Sequence, residues 1–136
     1  SIQHAVSWLG ELAHAEIPET FRASQVMIIP SWYESFSFVA LEAMASGLPV
    51  ITTDTDWIPR MVQDGVGGRV VPIKDADSLA EAMIGLYRDE RFCTTAGARN
   101  RDYVLTHYTW ESSAQKLLSL YGDLVQKSDP KPNSGT

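Results

Sequence analysis

Apolar residues form short unbroken runs in the first half of this chain and spaced stripes in the second. Val26-Met27-Ile28-Ile29 is a continuous apolar run halted by Pro30, which predicts a fully buried strand. Pro49-Val50-Ile51-Thr52-Thr53 predicts the next strand, and Arg69-Val70-Val71, stopped by Pro72, a short final one. Val6 to Leu9 reads as a further short strand ended by Gly10, and Pro18 opens a short helix, PETFRAS, at its favoured first-turn position. Phe38 to Ser46 (FVALEAMAS) is helix-forming, and Gly47 followed by Pro49 is a stop signal. Asp54 to Arg60 is a loop leading into a short helix to about Gln63, and Asp64 to Gly68 is a turn. Asp77 or Asp75 caps a helix over SLAEAMIGLYRD, with Leu79, Ala82, Met83 and Leu86 on one face. A second helix covers about Glu90 to Thr106. Trp110 to Gln126 is the most amphipathic segment, with Trp110, Ala114, Leu117, Leu118, Tyr121, Leu124 and Val125 along one face. Strand, helix and strand joined by short connections predict right-handed parallel crossovers, hence an α/β fold.

Composition narrows the class. A chain of 136 residues is one domain that buries roughly two-thirds of its unfolded surface. Its 44% hydrophobic content and four tryptophans fit a globular core. The single cysteine, Cys93, excludes an internal disulfide. No apolar run approaches the roughly 18 residues of a membrane span, and no signal peptide is visible. The chain begins at Ser1 and leads almost directly into a strand-like segment, as expected of a piece of a longer protein. Lys127 to Thr136 (KSDPKPNSGT) is a polar tail expected to be disordered. The net charge of −6, without a Lys/Arg stripe, argues against a nucleic-acid surface. His4 and His14 have no metal-like spacing with each other or with Cys93, and His107 reads as a packing or surface residue. No G-x-G-x-x-G lies between a strand and a helix, which disfavours a nicotinamide or flavin enzyme.

The candidate chemistry lies in Ile29 to Pro49, IPSWYESFSFVALEAMASGLP. A buried strand delivers a polar, aromatic-rich loop, Ser31 to Ser37, to a helix start, where open α/β folds place their ligands. The amides around Ser37 to Val39 are unpaired donors at the positive end of a helix, a geometry that suits a phosphate. Glu34 stands in the loop and Glu42 one turn into the helix, eight positions apart. Ionised carboxylates only accept hydrogen bonds, so the pair can grip the adjacent hydroxyls of a sugar or ribose. The same residues also read as two solvated surface acids, or as acids favoured by the helix dipole.

The run E-S-F-S-F-V-A-L-E-A-M-A-S-G-L-P-V resembles the E-x7-E signature of retaining glycosyltransferases of the two-Rossmann-domain (GT-B) architecture, most closely glycosyltransferase family 4. The similarity runs from Val6-Ser7-Trp8-Leu9-Gly10 through Pro30-Ser31, Pro49-Val50-Ile51, Asp64-Gly65 and Gly68 to Tyr108-Thr109-Trp110. It implies a Rossmann-like parallel sheet flanked by helices, the C-terminal donor-binding half-domain over residues 1–126, without its first strands and without the acceptor domain. By the same resemblance Glu34 contacts donor-sugar hydroxyls near the reacting carbon, as the catalytic candidate. Phe36, Ser37, Phe38 and Val39 hold the pyrophosphate or sugar through their amides, and Glu42 grips the ribose. The donor is a nucleotide-sugar, no metal or other cofactor is expected, and Asp54 and Asp56 look too tied to the helix start to form a metal cluster. The acceptor, a sugar, lipid or other small molecule, is held by the absent domain. A cytoplasmic, peripherally membrane-associated protein of polysaccharide biosynthesis is the matching context. The terminal helix of this fold can cross back to the partner domain, against the default reading that it packs on its own.

The chain departs from the family pattern in places. By the same resemblance, two glycines usually stand where this chain has Asp56 and Trp57, and an acidic residue is common where Arg60 stands, as is a glycine at Ser37. Ser37 and Trp57 add bulk where a ligand approaches, and Asp56 adds negative charge. Arg60 either offers a compensating cation or is a solvated surface residue. A non-catalytic nucleotide-sugar-binding module and a purely structural or interaction domain are the alternatives to an enzyme.

Overall fold

The computed structural model describes residues 3–128. Its centre is β2 (Val50–Thr53), whose four residues are all buried. Such a run has to be covered on both faces and paired on both edges, and it is. β1 (Met27–Ile29) and β3 (Gly68–Val71) flank it in a parallel sheet of order β1-β2-β3, with Met27 opposite Val50 and Val50 opposite Gly68. Crossover helices α2 (Phe38–Ala45) and α3 (Ile58–Val62) join consecutive strands, preceded by α1 (Ile17–Arg22). α4 (Ala76–Arg88), α5 (Glu90–His107) and α6 (Trp110–Ser128) complete the chain.

Alternation along β2 sorts the core into two layers. Ile29 and Val50 pack with Ala40 and Met44 of α2, Ile58, Met61 and Val62 of α3, and Val104 of α5. Ile51 and Val71 face the other way, onto Leu86 of α4 with half-buried Leu79, Ala82, Phe92 and Cys93. A smaller cluster joins α1 to α2 through Phe21, Ala43 and Leu48. The result is helices on both faces of a parallel sheet, as expected for a Rossmann-like half-domain.

α5 closes the amino ends of the strands. Asn100, fully buried, donates its amide to the carbonyls of Leu48 (2.8 Å) and Gly67 (2.7 Å), the residues leading into β2 and β3. Its neighbours add reach: Arg99 donates to the Met61 carbonyl at 3.2 Å and Arg101 to that of Ala45 at 2.6 Å. The approach is close enough to require glycine. A Cβ at Gly97 would lie 2.0 Å from the Gly47 carbonyl oxygen, and one at Gly67 2.2 Å from Asn100 Oδ1.

The helix ends follow the sequence. Asp75 rather than Asp77 caps α4, accepting from Ser78 N (2.9 Å) and Ser78 Oγ (2.7 Å), and Asp89 caps α5 by accepting from Phe92 N at 2.8 Å. Gly47, at φ 85, turns the chain out of α2.

Four expectations are corrected. Val6 to Leu9 is not a strand: after a 3-10 turn at Gln3–Ala5 it runs irregularly, with Trp8 92% exposed. Its apolar side chains have no sheet neighbour to cover them, and its Val6 N–H bonds only back to the Gln3 carbonyl. β1 is buried in full only at Ile29, because as an edge strand it is paired on one side. α6 continues through Lys127 and Ser128, which the polar-tail reading assigned to the tail. The rest of that tail, residues 129–136, lies outside the described residues. The apolar face of α6 does not pack on this domain, and Leu118 and Tyr121 are exposed.

Two outcomes follow from these contacts. Asn100→Asp keeps the shape of the side chain but replaces its N–H donor with a carboxylate oxygen facing the Leu48 carbonyl. It is expected to lower stability by roughly 2–4 kcal/mol in urea unfolding, as is Asn100→Ala. The second concerns acid. The hydrogen bonds from the Ser78 backbone and hydroxyl hold the Asp75 carboxyl below its ordinary value. Its stabilisation is therefore present above the unfolded-state value and lost as pH falls through the lower folded one. Thermal melts of Asp75→Asn, which keeps a capping side chain, should show a weaker acid dependence there.

Candidate donor site

The loop after β1 and the start of α2 meet at the carboxyl end of the sheet. Ser37 is the N-cap residue: at φ −89 and ψ 103 its backbone is extended, and its Oγ accepts from Ala40 N at 3.4 Å. The Leu41 N–H bonds to the Ser37 carbonyl at 3.2 Å. That leaves the N–H groups of Phe38 and Val39 without an acceptor among the described residues, at the positive end of the helix dipole. Both residues are exposed.

Ser37 does not play the part expected from its replacement of a glycine. It is 2% exposed and in a backbone conformation open to any residue, so it places no bulk on the surface. Its effect is to use one of the amide donors, that of Ala40, internally.

Glu42 stands one turn into α2 and is half-buried. It lines a cleft of about 230 Å³ between α1 and α2, with His14, Ile17, Pro18, Phe21 and Ser46. An acceptor-only group thus sits beside three apolar side chains, an arrangement that can hold a flat apolar ring and a diol together. Glu34, half-buried in the preceding loop, is not among the residues lining that cleft. That cleft therefore holds one of the two carboxylates, Glu42.

Aromatic packing holds the loop from the side of α5. The Phe36 ring meets Phe38 edge-on at 5.4 Å and Tyr108 at 6.2 Å, and Tyr108 in turn lies 5.7 Å from Tyr103. Burial and a hydrogen bond with Tyr108 push the Tyr103 hydroxyl above its usual range. His107 sits against the Tyr103 ring at 4.8 Å, a packing role. Burial, then the nearby Asp89 and Glu90 carboxylates, pushes the Cys93 thiol up, away from a reactive thiolate.

The loop after β2 carries the other departures. Asp56 adopts φ 42 and is exposed, and Trp57 is 40% exposed. Arg60 lies over the Trp57 ring at 4.8 Å, so its cation is held on the indole. Thr55 is 6% exposed, with its hydroxyl unpartnered by protein at the carboxyl end of β2. Sequence reasoning missed Thr55, as it missed Ile17, Pro18 and Phe21, which sit far from Glu42 in sequence. Among the described residues no three His, Cys, Asp or Glu side chains converge on a common point, and no helix is long and apolar enough to cross a membrane.

Comparison with known proteins gives this arrangement a context. Residues 1–89 match the family described as glycosyl transferases group 1. The chain is 35% identical over 133 residues to a D-inositol 3-phosphate glycosyltransferase of Stackebrandtia nassauensis, covering 96% of this chain and 29% of that protein. It is 34% identical over 115 residues to a phosphatidyl-myo-inositol mannosyltransferase of Mycolicibacterium smegmatis, covering 84% of this chain and 30% of that protein. Sucrose-phosphate synthase from Thermosynechococcus elongatus superposes with a TM-score of 0.83 at 32% identity, over 93% of this chain and 32% of that one. The chain thus spans about a third of the length of each of these proteins. Its parallel sheet between helices is the Rossmann-like half-domain of a GT-B fold, and the chain belongs to the group 1 glycosyl transferases.

Proposed function

We propose that this chain is the donor-binding part of a glycosyltransferase that moves a sugar from a nucleotide-sugar to an acceptor with retention of anomeric configuration. The observation that carries the reading is Glu42 in the α1–α2 cleft beside Ile17, Pro18 and Phe21, on the helix whose first turn carries the Phe38 and Val39 amides. In this assignment Glu42 accepts from the ribose hydroxyls while Ile17, Pro18 and Phe21 face the apolar ring of the base. The Phe38 and Val39 N–H groups, with those of Phe36 and Ser37 beside them, hold the pyrophosphate or sugar. Glu34 contacts the sugar hydroxyls near the reacting carbon. No metal takes part in the assignment, since helix amides offer the phosphates their positive end.

The remainder of the enzyme supplies the acceptor site and further cationic contacts to the pyrophosphate. The outer edge of β1 supports that reading, because it is unpaired among the described residues and borders a cavity of about 650 Å³ lined by Val26, Ile28, Ile51, Met83, Leu86 and Tyr87. The names of the relatives point to an inositol phosphate or an inositol lipid as the class of acceptor. Alone, this chain is expected to be inactive and to bind donor weakly. A non-catalytic nucleotide-sugar-binding module is the second reading, favoured by the exposed Asp56 carboxylate and the Trp57–Arg60 stack in the loop after β2. Product release by the full-length protein separates the two.

The experiment is titration of the full-length protein with UDP, GDP and ADP, comparing wild type with Glu42→Ala. Hydrogen bonds to a charged carboxylate contribute about 1.5–3 kcal/mol each, so the variant should lose roughly tenfold or more in affinity for the diphosphate that binds. Unchanged affinity would sink the ribose-gripping role.

A further inference from the structure

The loop that carries Glu34 is braced from the far side of the sheet. The Thr53 hydroxyl, at the end of β2, donates to the Ser31 carbonyl. Lys74 Nζ, in the connection from β3 to α4, lies 4.6 Å from the centroid of the Trp32 ring. Trp32 is 69% exposed and Lys74 is exposed as well, so the ammonium over the ring face is a contact that ties the indole to the β3–α4 connection. Lys74 projects from a fixed point. Its backbone sits at φ 60, a left-handed conformation that L residues rarely adopt, and Asp75 after it is tied twice to Ser78.

Trp32, Thr53 and Lys74, with Pro30, Val71 and Pro72, line a cleft of about 210 Å³ across the carboxyl ends of all three strands. Two of its polar side chains are already engaged, Thr53 with Ser31 and Asp75 with Ser78. Glu34 follows Trp32 by two residues in the same loop.

We infer that Lys74 is a positioning residue for Glu34, acting through the Trp32 ring on the sugar end of the donor. The inference rests on the role proposed for Glu34. Glu42 lines a different cleft, between α1 and α2, so the nucleotide end is untouched by Lys74. Arginine preserves a cation on the indole, whereas methionine keeps the length of the side chain without the charge.

The test is calorimetric titration of the full-length protein with UDP-glucose, GDP-mannose and ADP-glucose, each beside its bare diphosphate. For the pair that binds, Lys74→Met is expected to weaken the nucleotide-sugar by roughly two- to fivefold, the range of an exposed cation–π contact. The diphosphate should bind as before, and Lys74→Arg should restore wild-type affinity. In a Glu34→Gln background, Lys74→Met should cost nothing further. Four results overturn the inference while leaving the nucleotide site standing: equal loss for both ligands, no loss, a Lys74→Arg variant as weak as Lys74→Met, or full loss in the Glu34→Gln background. Binding of none of the six ligands by the wild type removes the donor-site reading, and this inference with it.

Discussion

The buried amide of Asn100 is the contact on which the rest of the arrangement depends. One side chain on α5 bonds the residues that lead into two neighbouring strands, Leu48 before β2 and Gly67 before β3. The approach that makes this possible uses the space left by Gly97 against Gly47 and by Gly67 against Asn100 itself. With the strand starts held in register at that end, the carboxyl ends present three loops in a defined relation. α5 also carries Val104 into the core shared by α2 and α3, and Tyr103 into the ring stack that reaches Phe36. The helix farthest along the chain from the E-x7-E stretch, among those that pack on the sheet, therefore sets where that stretch begins.

Much of the architecture was legible because it is punctuated. Pro30, Gly47, Pro49 and Pro72 mark the ends of elements, and the runs between them are short and uniform enough to name as strands or helix. The misreadings have a common cause: whether an apolar run is covered depends on neighbours that the run does not encode. Val6 to Leu9 looks like a strand locally but has none beside it, and Val26–Ile29 looks fully buried but lies at an edge. The Asn100 contact was illegible for the opposite reason, since a polar residue within a helix gives no sign of which distant carbonyls it will meet.

The candidate site was legible in part, as a local pattern. Glu34, Glu42 and the helix start between them are local, so the spacing that suggests them survives folding unchanged. The apolar walls of the Glu42 cleft come from α1, some twenty positions earlier, and no periodicity joins them to α2. Ser37 shows the limit of reasoning from substitution alone. Its extra atoms turn out to be an internal hydrogen-bond acceptor, which alters how many amides are on offer without obstructing the surface.

The Asn100 clasp lies at the opposite end of the strands from the carboxyl-end loops and the start of α2. Ser37, Asp56, Trp57 and Arg60, four positions that depart from the pattern the family resemblance leads one to expect, lie on carboxyl-end loops or the helix starts beside them, and none of them bonds to Asn100. A sequence built this way has room to drift. A substitution in the carboxyl-end loops removes none of the Asn100 hydrogen bonds that hold the strand starts, so that surface can change without loosening the clasp.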